Sequence, residues 1–153
     1  METLLAQLIL EEDEVPSTLV FALGSVAREY FEKELISSLG TMSSVRAMLN
    51  SRDHINVLFL NKLQYLYMYL TKFEVEEGEG RVTFKNLVIY GLDDSLGLKD
   101  EHLSVEQTRL ANLIYNVAFK VKARYQVEVQ FIPCRAGPCD DLNRLEQYWR
   151  EIC

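Results

Sequence analysis

Leu19-Val20-Phe21-Ala22-Leu23-Gly24-Ser25 decides how the rest of the chain is read. Five successive apolar residues leave no polar face, as in a strand covered by helices on both sides. Gly24-Ser25 turns the chain. Val26, Ala27, Tyr30, Phe31 and Leu35 then recur on one side of a helix that Gly40 closes. The same strand-then-helix unit returns downstream. Ile55–Leu60 runs into a helix with Leu63, Leu66, Tyr67 and Leu70 at i, i+3, i+4, i+7 spacing. Phe84–Tyr90 ends on Gly91, a loop covers Leu92 to His102, and a long helix starts at Ser104. Ser104 and Gln107 have the spacing of a capping box, and Leu110, Leu113, Ile114, Val117, Ala118 and Val121 form the stripe. Val127, Val129 and Phe131 alternate with Glu128 and Gln130, which predicts a half-exposed strand at an edge. Asp140 to Ile152 is the last helix. The alternation predicts one α/β domain over residues 1–153, with a mostly parallel sheet flanked by helices.

Working outward, Leu4, Leu5, Leu8 and Ile9 suit a short N-terminal helix within residues 1–14, ending in an acidic run. Ser43 to Leu49 suits another. Glu74 to Gly80 reads as a solvated loop, or as the turn of a hairpin between Phe73–Val75 and Val82–Phe84. Tyr67 is expected in the core, with Tyr65 and Tyr69 facing a partner or water.

A chain of 153 residues fits one domain, and 48% hydrophobic with 25% charged residues places it among folded proteins rather than disordered ones. The formal net charge of −7 argues against a strong stand-alone nucleic-acid binder. The acidic first fourteen residues match neither a secretory signal nor a mitochondrial presequence, and no apolar run reaches membrane-span length. A cytosolic or nuclear protein is expected. Cys134, Cys139 and Cys153 are an odd set, free by default in a reducing compartment, although a Cys134–Cys139 disulfide is geometrically open. His54 and His102 lie far from them in sequence, so neither a metal site nor a cofactor is expected.

The first strand–helix junction, Leu23-Gly24-Ser25-Val26-Ala27-Arg28, has one glycine and no lysine. A phosphate loop needs glycines that let backbone N–H groups surround the phosphates and a Lys for the outer ones, so this is an ordinary turn. The apolar run Leu87-Val88-Ile89-Tyr90 is followed by Gly91 where a magnesium-positioning Asp would stand. Asp93 and Asp94 follow, and paired loop carboxylates serve more often as solvated or capping groups than as metal ligands. Ser25, His54 and His102 have no triad-like context.

The strand Leu87–Tyr90, the turn Gly91-Leu92-Asp93-Asp94-Ser95-Leu96, the long helix and the strand Val127–Ile132 resemble the Walker B half of RecA-like recombinase paralogues. Leu19 to Leu39 looks like the Walker A half with the phosphate loop trimmed away. With the aromatic segment Leu145-Glu146-Gln147-Tyr148-Trp149, the chain is most similar to the small Shu-complex subunits of budding yeasts. The resemblance implies a RecA-like fold without a functional P-loop and a non-catalytic nuclear subunit. Such a subunit pairs with another RecA-like paralogue in a heterodimer or larger complex, binds DNA together with that partner, and promotes recombinase filament assembly. Its setting would be homologous recombination and error-free tolerance of DNA damage.

On that resemblance, Arg135 and Arg144 after the last strand are the candidate DNA contacts, with Lys120, Lys122 and Arg124 as a second patch. Cations in a helix's last turn also complement its dipole. Leu142, Leu145, Tyr148, Trp149 and Ile152 are the candidate partner face, with Trp149 either anchoring a partner or packing on its own sheet. Two other readings stand beside this one. One is a RecA-like scaffold of an Elongator-accessory type; the other is a small metal-dependent enzyme using Asp93 or Asp94.

Overall fold

The computed structural model describes residues 3–4, 17–34, 54–75, 82–99, 101–137 and 139–153. Its centre is a sheet of four parallel strands: β1 (Thr18–Leu23), β2 (Ile55–Leu60), β3 (Asn86–Tyr90) and β4 (Glu128–Ile132), in the order β2-β1-β3-β4. The continuous apolar runs occupy the two inner places. β1 is buried at all six positions and β3 at the last four. The alternating segment is β4, at an edge, where Val129 is buried while Glu128 and Gln130 are exposed.

Among the described residues, the strands are followed by the α-helices α1 (Gly24–Glu29), α2 (Leu63–Val75), α3 (Leu92–Ser95), α4 (Val105–Tyr125) and α5 (Asp140–Ile152). Alternate strand residues point to opposite faces. Phe21, Leu23, Leu87, Ile89 and Val129 join the core with Leu66 and Leu70 of α2, Ile114 and Ala118 of α4, and Leu142 of α5. Ala22 and Tyr90, on the other face, pack with Ala27 and Tyr30. The α/β layout with a parallel sheet flanked by helices is therefore the observed one, consistent with a RecA-like arrangement.

Local readings met mixed outcomes. The capping box forms: Ser104 Oγ accepts from the Gln107 amide at 3.2 Å, and Gln107 Oε1 accepts from the Ser104 amide at 2.9 Å. The helix after Gly24 changes to a π-helical turn at Tyr30–Glu34; Ala27 and Tyr30 are buried as expected, while Val26, expected on the same side, is exposed. The expected loop after Gly91 opens with the short helix α3. On α4, Leu110 and Leu113 are exposed, whereas Tyr115 and Phe119, outside the expected stripe, are buried. The helix lies between the sheet and two helices, so its buried arc is broad and rotated toward α5. Tyr67, expected in the core, is exposed, because Leu66 and Leu70 supply the contact of α2. Residues 73–75 end α2 instead of starting a hairpin. The N-terminal helix beyond Leu4, the segment Ser43–Leu49 and Gly40 lie outside the described residues. All three cysteines are free.

Candidate functional site

In a parallel sheet, ligands bind beyond the carboxyl ends of the strands where the strand order reverses. Here that point lies between β1 and β3, which leave the sheet at Gly24 and Gly91. The chain fills this place itself. Gly91 has φ +88°, and a Cβ there would stand 2.8 Å from both Cys134 Sγ and the Leu23 carbonyl oxygen. Gly24 has φ +81°, and a Cβ there would stand 3.0 Å from Asp94 Oδ2. A carboxylate thus lies over the start of α1, where a bound phosphate would bring like charge.

Asp93 closes the third side. It is buried, with Oδ1 accepting from the Cys134 amide and Oδ2 from the Arg135 amide, both at 2.9 Å. The Gly91 amide donates to the Ile132 carbonyl at 2.9 Å, continuing the β3–β4 ladder. Both oxygens of Asp93 are therefore engaged in holding the loop after β4, which is not the open geometry of a metal ligand or general base. Burial, and then the Asp93 carboxylate, push the Cys134 thiol up to about 11. It stays protonated near neutrality and is a poor nucleophile.

Beside the filled switch point, a cleft of about 830 Å³ runs between the loop after β4, the segment before α4 and the first turns of α5. Its floor includes Leu98, Tyr115 and Phe131, and its rim carries Lys99, Glu101, His102, Arg135, Asp140 and Glu146. Asp141 Oδ2 accepts from the Leu103 amide at 3.1 Å and lies 3.3 Å from His102 Nδ1. The Leu103 amide first, and His102 next, hold the Asp141 carboxyl below its ordinary value.

The expected DNA contacts fall into two groups at opposite ends of the sheet. Arg135 and Arg144 are exposed near its carboxyl end. Lys120, Lys122 and Arg124 close α4 near its amino end. The second group is already engaged within the chain. Lys120 Nζ lies 3.1 Å from Glu74 Oε1, Lys122 Nζ lies 3.6 Å from Glu128 Oε2, and Arg124 Nη1 donates to the Glu74 carbonyl.

The expected partner face of α5 also divides. Leu142 is buried, while Leu145 and Trp149 are partly buried and pack against the core. Trp149 Nε1 donates to Asn112 Oδ1 at 2.9 Å, tying α5 to α4. Tyr148 and Ile152 remain exposed. Arg150, which periodicity did not single out, donates through Nη2 to the Val129 carbonyl at 3.1 Å and lies 5.5 Å from the Phe119 ring centroid. It caps a main-chain group of the edge strand. Among the described residues, no helix is long and apolar enough to cross a membrane.

A model of the family described as Suppressor of HU sensitivity involved in recombination protein 1 matches residues 2–153. The Saccharomyces cerevisiae protein of that description is 30% identical over 138 residues, which cover 90% of this chain and 85% of the yeast protein.

Proposed function

The chain belongs to the family of Suppressor of HU sensitivity involved in recombination protein 1, and on that premise we propose that it is a non-catalytic subunit of a recombinase-paralogue (Shu-type) complex. In this reading it pairs with another RecA-like subunit in the nucleus, contacts DNA as part of that complex, and promotes recombinase filament assembly in homologous recombination and error-free damage tolerance. The observation that carries it is the family match across residues 2–153. The filled switch point supports the non-catalytic part, because Asp94, Gly91 and Cys134 take the space a nucleotide would need. With both Asp93 oxygens accepting backbone amides, a metal-dependent reaction at Asp93 finds no support in the geometry.

Arg135 and Arg144 are the better candidates for phosphate contact. They are exposed, whereas the cations ending α4 already have acidic or carbonyl partners. The test is recovery of the tagged chain from its native cells, with mass spectrometry of what accompanies it and forked-DNA binding by the recovered assembly. Recovery of a second RecA-like subunit and DNA binding by the pair is the expected result. A lone chain, or magnesium-dependent ATP turnover lost on Asp93→Ala with Asp94→Ala, would overturn the reading.

A further inference from the structure

Arg135 begins an exposed stretch, Arg135-Ala136-Gly137, in which Ala136 carries one methyl group and Gly137 no side chain. Nothing comes within 4 Å of where a Cβ on Gly137 would stand. A segment with so little to pack owes its place to whatever holds its main chain.

The holder is Asp93. Its two oxygens accept the Cys134 and Arg135 amides, each at 2.9 Å. Hydrogen bonds to a carboxylate are the stronger kind. Asp93 is itself fixed. Leu92 beside it and Leu96 one turn later are buried in the core. The Gln107 side-chain amide donates to the Leu96 and Gly97 carbonyls at 2.9 and 3.3 Å, tying the end of α3 to the first turn of α4. Hydrogen bonds therefore run from α4 through α3 to the loop after β4.

The clamp also decides where charge is left. Asp93 takes the Arg135 amide, and among the described residues the Arg135 guanidinium pairs with no carboxylate. An acid bonded to the guanidinium itself would compete with a phosphate for it. Here the acid fixes the residue and leaves its cation available.

We infer that Asp93 is a positioning residue for DNA: it orders the loop after β4 so that the Arg135 guanidinium is already in place when a backbone phosphate arrives. A loop ordered beforehand spares the complex the entropy of ordering it on contact. The inference deepens the proposed function and rests on its phosphate contact at Arg135. Charge and position predict opposite signs here. Asp93→Asn removes a negative charge near the phosphate contact, which by charge alone should tighten DNA binding. It also releases one of the two amides, which by position should weaken it.

The experiment uses the tagged complex recovered from native cells and a fluorescently labelled DNA fork. Four forms of the chain are compared: wild type, Asp93→Asn, Arg135→Ala and both changes together. Equal recovery of the complex checks that each form folds. Asp93→Asn is expected to weaken binding about fivefold with an unchanged salt slope, while Arg135→Ala lowers the slope by about one. With Arg135→Ala already present, Asp93→Asn should cause no further loss, because a positioning residue acts only through the residue it positions. In the wild-type complex without DNA, hydrogen exchange should be slower at the Cys134 and Arg135 amides than at Ala136. Tighter binding by Asp93→Asn, equal losses in both backgrounds, or exchange at Cys134 and Arg135 as fast as at Ala136 overturns the inference and leaves the proposed function standing. An Arg135→Ala complex with wild-type affinity and slope overturns the phosphate contact, and the inference with it.

Discussion

Asp93 and Arg135 meet through the main chain, not through their opposite charges: Asp93 Oδ2 accepts the Arg135 backbone amide at 2.9 Å. Its other oxygen takes the Cys134 amide. The Arg135 side chain is left exposed at the carboxyl end of the sheet, and the loop that presents it is fixed from beneath.

Asp93→Ala therefore strands two backbone donors next to a buried site. A loss of about 2–4 kcal/mol in unfolding free energy is expected, by analogy with hydrogen bonds to charged acceptors. Asp93→Asn keeps an acceptor for one amide and should lose less. Urea unfolding of both variants checks the order, and a neutral Asp93→Ala would refute the clamp.

Gly91→Ala combines a positive φ with contacts of 2.8 Å to Cys134 Sγ and the Leu23 carbonyl. Together these should cost about 2–4 kcal/mol. Gly97→Ala also has a positive φ, +67°, but meets nothing within 4 Å. Only the backbone strain remains there, about 1 kcal/mol. Thermal unfolding of the two variants separates crowding from conformation.

Trp149 is the sole tryptophan, so its fluorescence reports the α4–α5 contact alone. Trp149→Ala removes a half-buried ring from the core and should destabilise the fold by about 3 kcal/mol. Trp149→Phe mainly removes the bond to Asn112, about 1 kcal/mol. Chemical unfolding followed by circular dichroism checks both. An Ala variant as stable as wild type would return Trp149 to the partner surface.

Arg135→Ala with Arg144→Ala should weaken forked-DNA binding by the assembled complex and lower its salt slope by about one for each phosphate no longer neutralised. Lys120→Ala with Lys122→Ala should change it less, since those side chains already face Glu74 and Glu128. Titration at several salt concentrations checks the comparison. Equal losses would place DNA at both ends of the sheet.

Much of the architecture was legible because it is written in neighbouring residues. The all-apolar runs Leu19–Leu23 and Leu87–Tyr90 became the inner strands, the alternating one became edge strand β4, and Ser104-Val105-Glu106-Gln107 capped the longest helix. Periodicity assigns a side chain an angle around its helix and says nothing of what lies over it. Leu110, Leu113 and Tyr67 were therefore misplaced, and Trp149 stayed open between two roles. The Asp93 clamp joins residues more than forty positions apart, and no local pattern marks it. Arg150 was missed for the same reason: its role depends on the strand beneath it.

RecA-like subunits that bind ATP carry a timer, since hydrolysis changes the pocket and with it the grip on partner and DNA. In this chain Asp94 stands over Gly24 and Cys134 against Gly91 at the corresponding place. On the proposed reading, its associations have no internal moment of release, and how long it stays on a partner is set by the strength of that contact and by events in other molecules.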